Sequence, residues 1–245
     1  MRPFIIAAII IFLPGVFLAF WHSLVWLAAT QPVATLIGLG FLGGVICDYL
    51  LRHSLPGLRV FEHELTHALA ALLCLRKVNS FVVTAHQGGY VSHSGGFGGD
   101  LADDFIGLAP YMLPLLAMTS VLARPWITAE WLTWFDLWIG FALGGHALRG
   151  LRDTKNAIRN PVFLLTGTNQ YTQSDIARRG VGYSLLFIAC FGLALHGLMF
   201  CMLLRGYSGA TLWVQIVWQH SHWLPETLPR ILAAMPEMQT LVQLR

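Results

Sequence analysis

The sequence predicts an α-helical integral membrane protein with six or seven transmembrane helices and a small β-hairpin after the third. Three observations carry this. Of 245 residues, 56% are apolar and only 11% charged, where a soluble domain carries about 25% charge. Mean hydropathy is +0.63. The apolar residues also gather in stretches near the ~20 residues a helix needs to cross hydrocarbon, where backbone groups find no partner outside the helix. This composition excludes an ordinary soluble enzyme, a disordered chain and a disulfide-stapled secreted domain. Cys47, Cys74, Cys190 and Cys201 lie in apolar runs without CxxC spacing and read as small core residues.

The first stretch, Phe4 to Ala29, follows Arg2. It is too long for a signal-peptide core and no small-x-small cleavage site follows, so it reads as an uncleaved anchor. Val33 to Leu51 is the second, and its Gly38, Gly40, Gly43 and Gly44 let helices approach closely. The third runs from about Pro56 to Leu75 and ends at Arg76-Lys77. Val78 to Thr84 is then rich in β-branched residues, Gln87-Gly88-Gly89 is turn material, and Tyr90-Val91-Ser92 resumes strand composition. That pattern predicts a hairpin over residues 78–93, which beside membrane helices must be buried in protein or line a cavity.

Further spans are expected at Phe105 to Ala123, Trp131 to Leu148 and Val181 to Leu204, and residues 209–224 form a short, Trp-flanked seventh candidate that could equally lie in the interface. With no internal repeat, residues 1–245 read as one polytopic domain in the lipid bilayer, with a polar tail over 225–245. The loop 149–179 carries Arg149, Arg152, Lys155, Arg159, Arg178 and Arg179 against Asp153 and Asp175, and the positive-inside rule puts it in the cytoplasm. No basic face combines with aromatic stacking positions, so nucleic acid is not an expected partner. Nucleotide-binding glycine patterns, a Ser-centred elbow and a redox CxxC are all missing.

The informative pentad is His63-Glu64-Leu65-Thr66-His67. Residues four apart share one face of a helix, so both imidazoles can bind one metal ion. Zn2+ suits two neutral nitrogen ligands with a third protein ligand, leaving the fourth position to water. Glu64, beside the first ligand, can take a proton from that water as general base. Several ionisable groups within one apolar stretch are costly, about 2.5–3.5 kcal/mol for a central charge, unless they pair, coordinate or face water.

The run Phe61-Glu62-His63-Glu64-Leu65-Thr66-His67-Ala68-Leu69-Ala70, followed by a strand-turn-strand with Gly88-Gly89-Tyr90-Val91 and then Gly107-Leu108-Ala109-Pro110-Tyr111, resembles the site-2 protease family of intramembrane zinc metallopeptidases. The resemblance is concentrated over about residues 58–120, within a core expected at 56–150. It implies His63 and His67 as zinc ligands, Glu64 as base, and hydrolysis of a membrane-embedded or membrane-proximal peptide. It also implies a substrate segment added as an extra strand near Gly89, Tyr90 and Val91.

One departure stands out. The family's third ligand comes from an Asp in a Leu-Asp-Gly motif, which this sequence lacks. His146, Asp153 and Asp175 are the candidates. His146 ranks first, because a histidine inside an apolar span needs a partner more than a loop carboxylate does, although its span ends at a depth roughly 9 Å from the pentad at about 1.5 Å per residue. Asp153, flanked by Arg152 and Lys155, reads as a solvated ion pair. Asp175 reads equally as a ligand or a helix N-cap. His22 reads as interfacial, His196 as a cross-helix hydrogen bonder, His86 and His93 as exposed, and Asp48 and Asp136 as partners of nearby arginines. Two other functions fit the same text less well: a non-catalytic membrane scaffold that keeps the protease fold, and a metal or ion transporter. Oligomeric state is not legible.

Overall fold

A computed structural model of the chain describes residues 2–51, 54, 56–84, 88–159, 162–165 and 170–221; the expected tail over 225–245 and the turn residues His86 and Gln87 lie outside them. The described part is mostly helical. It begins with α1 (Arg2–Ala29), α2 (Val33–Leu50) and α3 (Pro56–Leu73), and the hairpin follows as β1 (Lys77–Thr84) and β2 (Gly88–Ser94). Next come α4 (Gly99–Met112), α5 (Leu115–Ala123) and the long α6 (Ala129–Arg159). A second short antiparallel pair, β3 (Val162–Leu165) and β4 (Gln170–Gln173), leads to α7 (Asp175–Arg179), α8 (Val181–Arg205) and α9 (Ser208–Ser221).

Among the described residues, α1, α2 and α8 are long and apolar enough to cross a membrane. A fourth span is counted if α4 and the segment Leu115–Trp126, which meet at 85°, are taken as one. The break sits at Leu113-Pro114. Proline has no N–H and disfavours helical geometry in the residue before it, and Leu113 is extended with φ −99° and ψ 104°. The six or seven spans expected from the sequence are not reached by this measure. The reason is local: α3 carries Arg59, Glu62, His63, Glu64 and His67, the apolar half of α6 carries Asp136 and His146, and α9 is only 14 residues long.

The closest helix pair is α2 with α6. A Cβ on Gly40 or Gly44 would land on the carbonyl oxygens of Leu137 or Phe141, and one on Gly140 or Gly144 on those of Ile37 or Phe41. The register advances in the same direction on both helices, so they run parallel. Small residues four apart on each side bring the backbones together, the packing that serves where lipid supplies no hydrophobic drive between helices. On the other side of the molecule α1 packs on α8 and α9, with Ser23 and Cys201 in contact at 3.1 Å between α1 and α8.

Charges inside the bundle are paired, as expected for Asp48 and Asp136. Asp136 takes both ends of the Arg124 fork at 2.7 and 2.9 Å. Asp48 faces Arg59 at 3.0 Å, Arg152 at 3.2 Å and Arg149 at 3.5 Å, while Arg149 also reaches Glu62 at 2.9 Å. That network ties α2, α3 and α6 together behind the pentad. The hairpin matches its expected place closely, antiparallel from Lys77↔Ser94 to Thr84↔Gly88 with an irregularity between Val78 and Ser80.

Replacing Gly44 or Gly144 by valine forces α2 and α6 apart. We expect each variant to lose about 1–3 kcal/mol in reversible unfolding of the detergent-solubilised protein, whereas Gly38→Val, where nothing lies near an added Cβ, changes little.

Candidate metal centre

The centre starts on α3. His63 and His67 lie one turn apart, and their Nε2 atoms approach to 3.2 Å. Two donors about 2.0–2.1 Å from one tetrahedral ion stand roughly 3.3 Å apart, so the pair has the spacing of two ligands on one metal. The tautomer of His67 is set from behind: its Nδ1–H donates to the carbonyl oxygen of Ile106 at 2.7 Å, which leaves the Nε2 lone pair facing His63. Ile106 can accept because of a residue further along α4. In a helix the N–H four positions on would claim that carbonyl, and here that position is Pro110, which has no N–H.

A carboxylate arrives from the other side. Asp175 Oδ2 lies 3.5 Å from His67 Nε2 and 3.9 Å from His63 Nε2, and one ligand atom from each of the three residues falls within 4.8 Å of the others. Among the described residues this is the only such group of three. Asp175 opens α7 without capping it. The cap is Ser174, whose hydroxyl accepts from the Ala177 N–H at 3.3 Å, so the Asp175 carboxylate is free to face the histidines. Two neutral imidazoles and one carboxylate are a donor set that suits zinc.

Behind Asp175 lies a buried anchor. Asp104 on α4, only 2% exposed, takes the Arg179 Nε–H at 3.1 Å and the Tyr183 hydroxyl at 2.7 Å, with Arg2 at 3.5 Å. Asp104 and Arg179 were not singled out in the sequence. The available signal was a charged residue six before Pro110 and an arginine four after Asp175.

Glu64 is buried beside the pair. A Cβ on Gly89 would strike the Glu64 side chain and the Val82 carbonyl, so the hairpin can press its second strand against Glu64 only with glycine there. The sheet has two strands, and β1 occupies one edge of β2. A cleft of about 380 Å³ is lined by Gly89, Tyr90 and Val91 from β2 together with His63, Glu64, His67 and Asp175. The three hairpin residues implied by the family resemblance thus lie along the cleft that holds the cluster.

The other histidines lie elsewhere. His146 is not brought to the pair. It had been placed near a span end at Leu148, but α6 continues to Arg159, and the buried His146 ring sits 6.3 Å from that of His196 on α8. His196 itself donates to Gly192 of its own helix at 2.7 Å rather than across helices. Asp153 is exposed and lines a smaller cavity behind His63 with His146; its neighbour Arg152 turns to Asp48 instead. His22 meets His220 at 3.0 Å. His93 is half-buried beside Arg76 rather than exposed.

A helix bearing both histidines and a glutamate, a carboxylate delivered from a later segment, and a strand edge beside them form, in a mostly helical chain with membrane-length apolar helices, a group that could hold a metal ion. The family model described as Peptidase M50B-like matches residues 39–145, and this supports membership of the chain in the site-2 protease family. The match covers less than half of the chain, takes in the pentad, the hairpin and α4, and ends before His146 and Asp175. No curated protein and no solved structure matches the chain.

Asp104→Leu leaves the Arg179 Nε–H and the Tyr183 hydroxyl without their buried acceptor. We expect a loss of about 3–5 kcal/mol in unfolding free energy, read by denaturation of the solubilised protein.

Proposed function

We propose that the protein is an intramembrane zinc endopeptidase that hydrolyses a peptide bond of a membrane-embedded or membrane-proximal segment. The observation that carries this reading is the convergence of His63, His67 and Asp175 beside Glu64, in a cleft bordered by the β2 strand. In it, His63, His67 and Asp175 would hold zinc. Zinc, when bound, supplies a Lewis acid that polarises a carbonyl and makes water acidic near neutral pH. Glu64 acts on the water proton: its carboxylate takes it up and returns it to the leaving amine. The substrate backbone lies along Gly89, Tyr90 and Val91, paired as an added strand, which presents the scissile bond in extended form.

The membrane arrangement follows the same logic. The helix α6 runs parallel to α2, backbone against backbone at Gly40, Gly44, Gly140 and Gly144, so we place α6 at the depth of a spanning partner, with α3 beside it through the Asp48 and Glu62 ion pairs. That brings the number of transmembrane elements toward six, and the basic stretch from Arg149 to Arg179 faces the cytoplasm. The partners in this reading are a membrane protein or peptide substrate and the lipid bilayer.

Two results test it. In chelator competition on the purified full-length protein, Asp175→Ala weakens zinc binding by about 100-fold or more, since even residues behind the ligands cost about 10–100-fold, while His146→Gln leaves it unchanged; the reverse outcome reassigns the third ligand. With a panel of transmembrane reporter peptides, Glu64→Gln keeps its zinc and loses cleavage by about 10²–10⁴-fold. A wild-type protein that holds no zinc, or a Glu64→Gln form that cleaves as well as wild type, ends the protease reading.

A further inference from the structure

Asp175 has two oxygens, and the structure gives them different neighbours. Oδ2 faces the two histidines, while Oδ1 faces Arg179 Nη1 at 3.7 Å. The Arg179 guanidinium is itself held in place on every side. Nε donates to Asp104 Oδ1 at 3.1 Å, Nη2 to the Asp103 carbonyl at 2.8 Å, and Nη1 to the Asp175 carbonyl at 3.3 Å. Only a planar fork can meet three acceptors in those directions. The guanidinium also lies flat against α4 where the helix has no side chain: a Cβ on Gly107 would fall on Cζ and both terminal nitrogens of Arg179.

We infer that Arg179 is a positioning residue that holds Asp175 with one oxygen turned to His63 and His67, and that Gly107 is the opening that lets it do so. This rests on Asp175 being a zinc ligand. With Oδ1 drawn toward a cation at 3.7 Å, the carboxylate is biased to turn its other oxygen to the histidines. The same helix, α4, then sets two of the three donors: Ile106 orients His67 and, one residue on, Gly107 admits the arginine that orients Asp175. The three atoms nearest to an added Gly107 Cβ all belong to Arg179, so a methyl there acts first on the guanidinium.

The test compares full-length wild-type protein with Gly107→Ala, Arg179→Met and Arg179→Lys. The readouts are zinc affinity by chelator competition and the visible absorption spectrum of the Co2+-loaded protein, which reports ligand geometry. Gly107→Ala is the sharper variant: the atoms its methyl meets are the far end of the Arg179 side chain rather than backbone, so the guanidinium shifts against its acceptors while the helices stay in place. We expect wild-type helical circular dichroism and elution volume, zinc affinity lowered by about 10–100-fold, and a changed cobalt spectrum in Gly107→Ala and Arg179→Met. Arg179→Lys, which keeps the charge and loses the fork, also binds more weakly than wild type. Wild-type affinity and spectrum in folded Gly107→Ala overturn the inference. So does zinc loss that comes only with loss of the helical signal, which makes the residues structural. If Asp175→Ala weakens zinc binding and these variants do not, this inference alone falls; if Asp175→Ala has no effect, the ligand assignment falls with it.

Discussion

The hydrogen bond from His67 Nδ1–H to the Ile106 carbonyl, 2.7 Å long, is the constraint around which the centre is arranged. It joins α3 to α4, chooses the histidine tautomer, and exists because Pro110 leaves that carbonyl without its helical donor. Each consequence has a separate physical basis: an unclaimed backbone acceptor inside a bundle needs a partner, and an imidazole that donates from one nitrogen offers a lone pair at the other. A proline that weakens a helix locally therefore contributes an acceptor to its neighbour. Four residues further on, Pro114 follows the end of α4, where the chain bends by 85°.

Around that bond the bundle handles its charges by pairing. Asp48, Asp104 and Asp136 are buried, and each faces at least one arginine. A lone charge at such depth would cost several kcal/mol, and the pairs convert that cost into links between helices: α2 to α3 and α6 through Asp48, and α4 to α7 and α8 through Asp104. Removing one partner of such a link costs more than the link contributes. The pentad sits between the two networks, with Glu62 and Arg149 behind it and Arg179 in front.

What could be read from the sequence was what is encoded within a few residues. The histidine spacing, the adjacent glutamate and the hairpin boundaries are local, set by helical and strand periodicity, and the residues around them suffice. The glycines of Val33 to Leu51 announced a close helix contact, but its partner, Gly140 and Gly144 on α6, is a matter of tertiary register. The third donor was illegible for a related reason. Ranking His146 first rested on the need of a histidine inside an apolar span for a partner, and the ring beside it is that of His196 on α8, in a helix that runs on to Arg159. Asp175 stood at even odds as an N-cap because any Asp before an apolar run can cap. The preceding Ser174 was the signal that separates the two: once the serine caps α7, the aspartate has no backbone donor to serve.

That substitution of roles bears on the missing Leu-Asp-Gly motif. A metal centre needs a carboxylate oxygen at a place, not a tripeptide, and the requirement can be met by any segment rigid enough to hold one oxygen still. A five-residue helix is a poor platform by itself, since isolated short helices are marginal. Here it is fastened at both ends, by the Ser174 cap at its start and by Arg179 in the Asp104 pocket at its end, with the fully buried Ile176 between them. The lack of the motif therefore does not leave the pentad without a carboxylate: Asp175 lies beside it on a differently anchored segment. Glu64 is buried against Gly89, beside the two histidines.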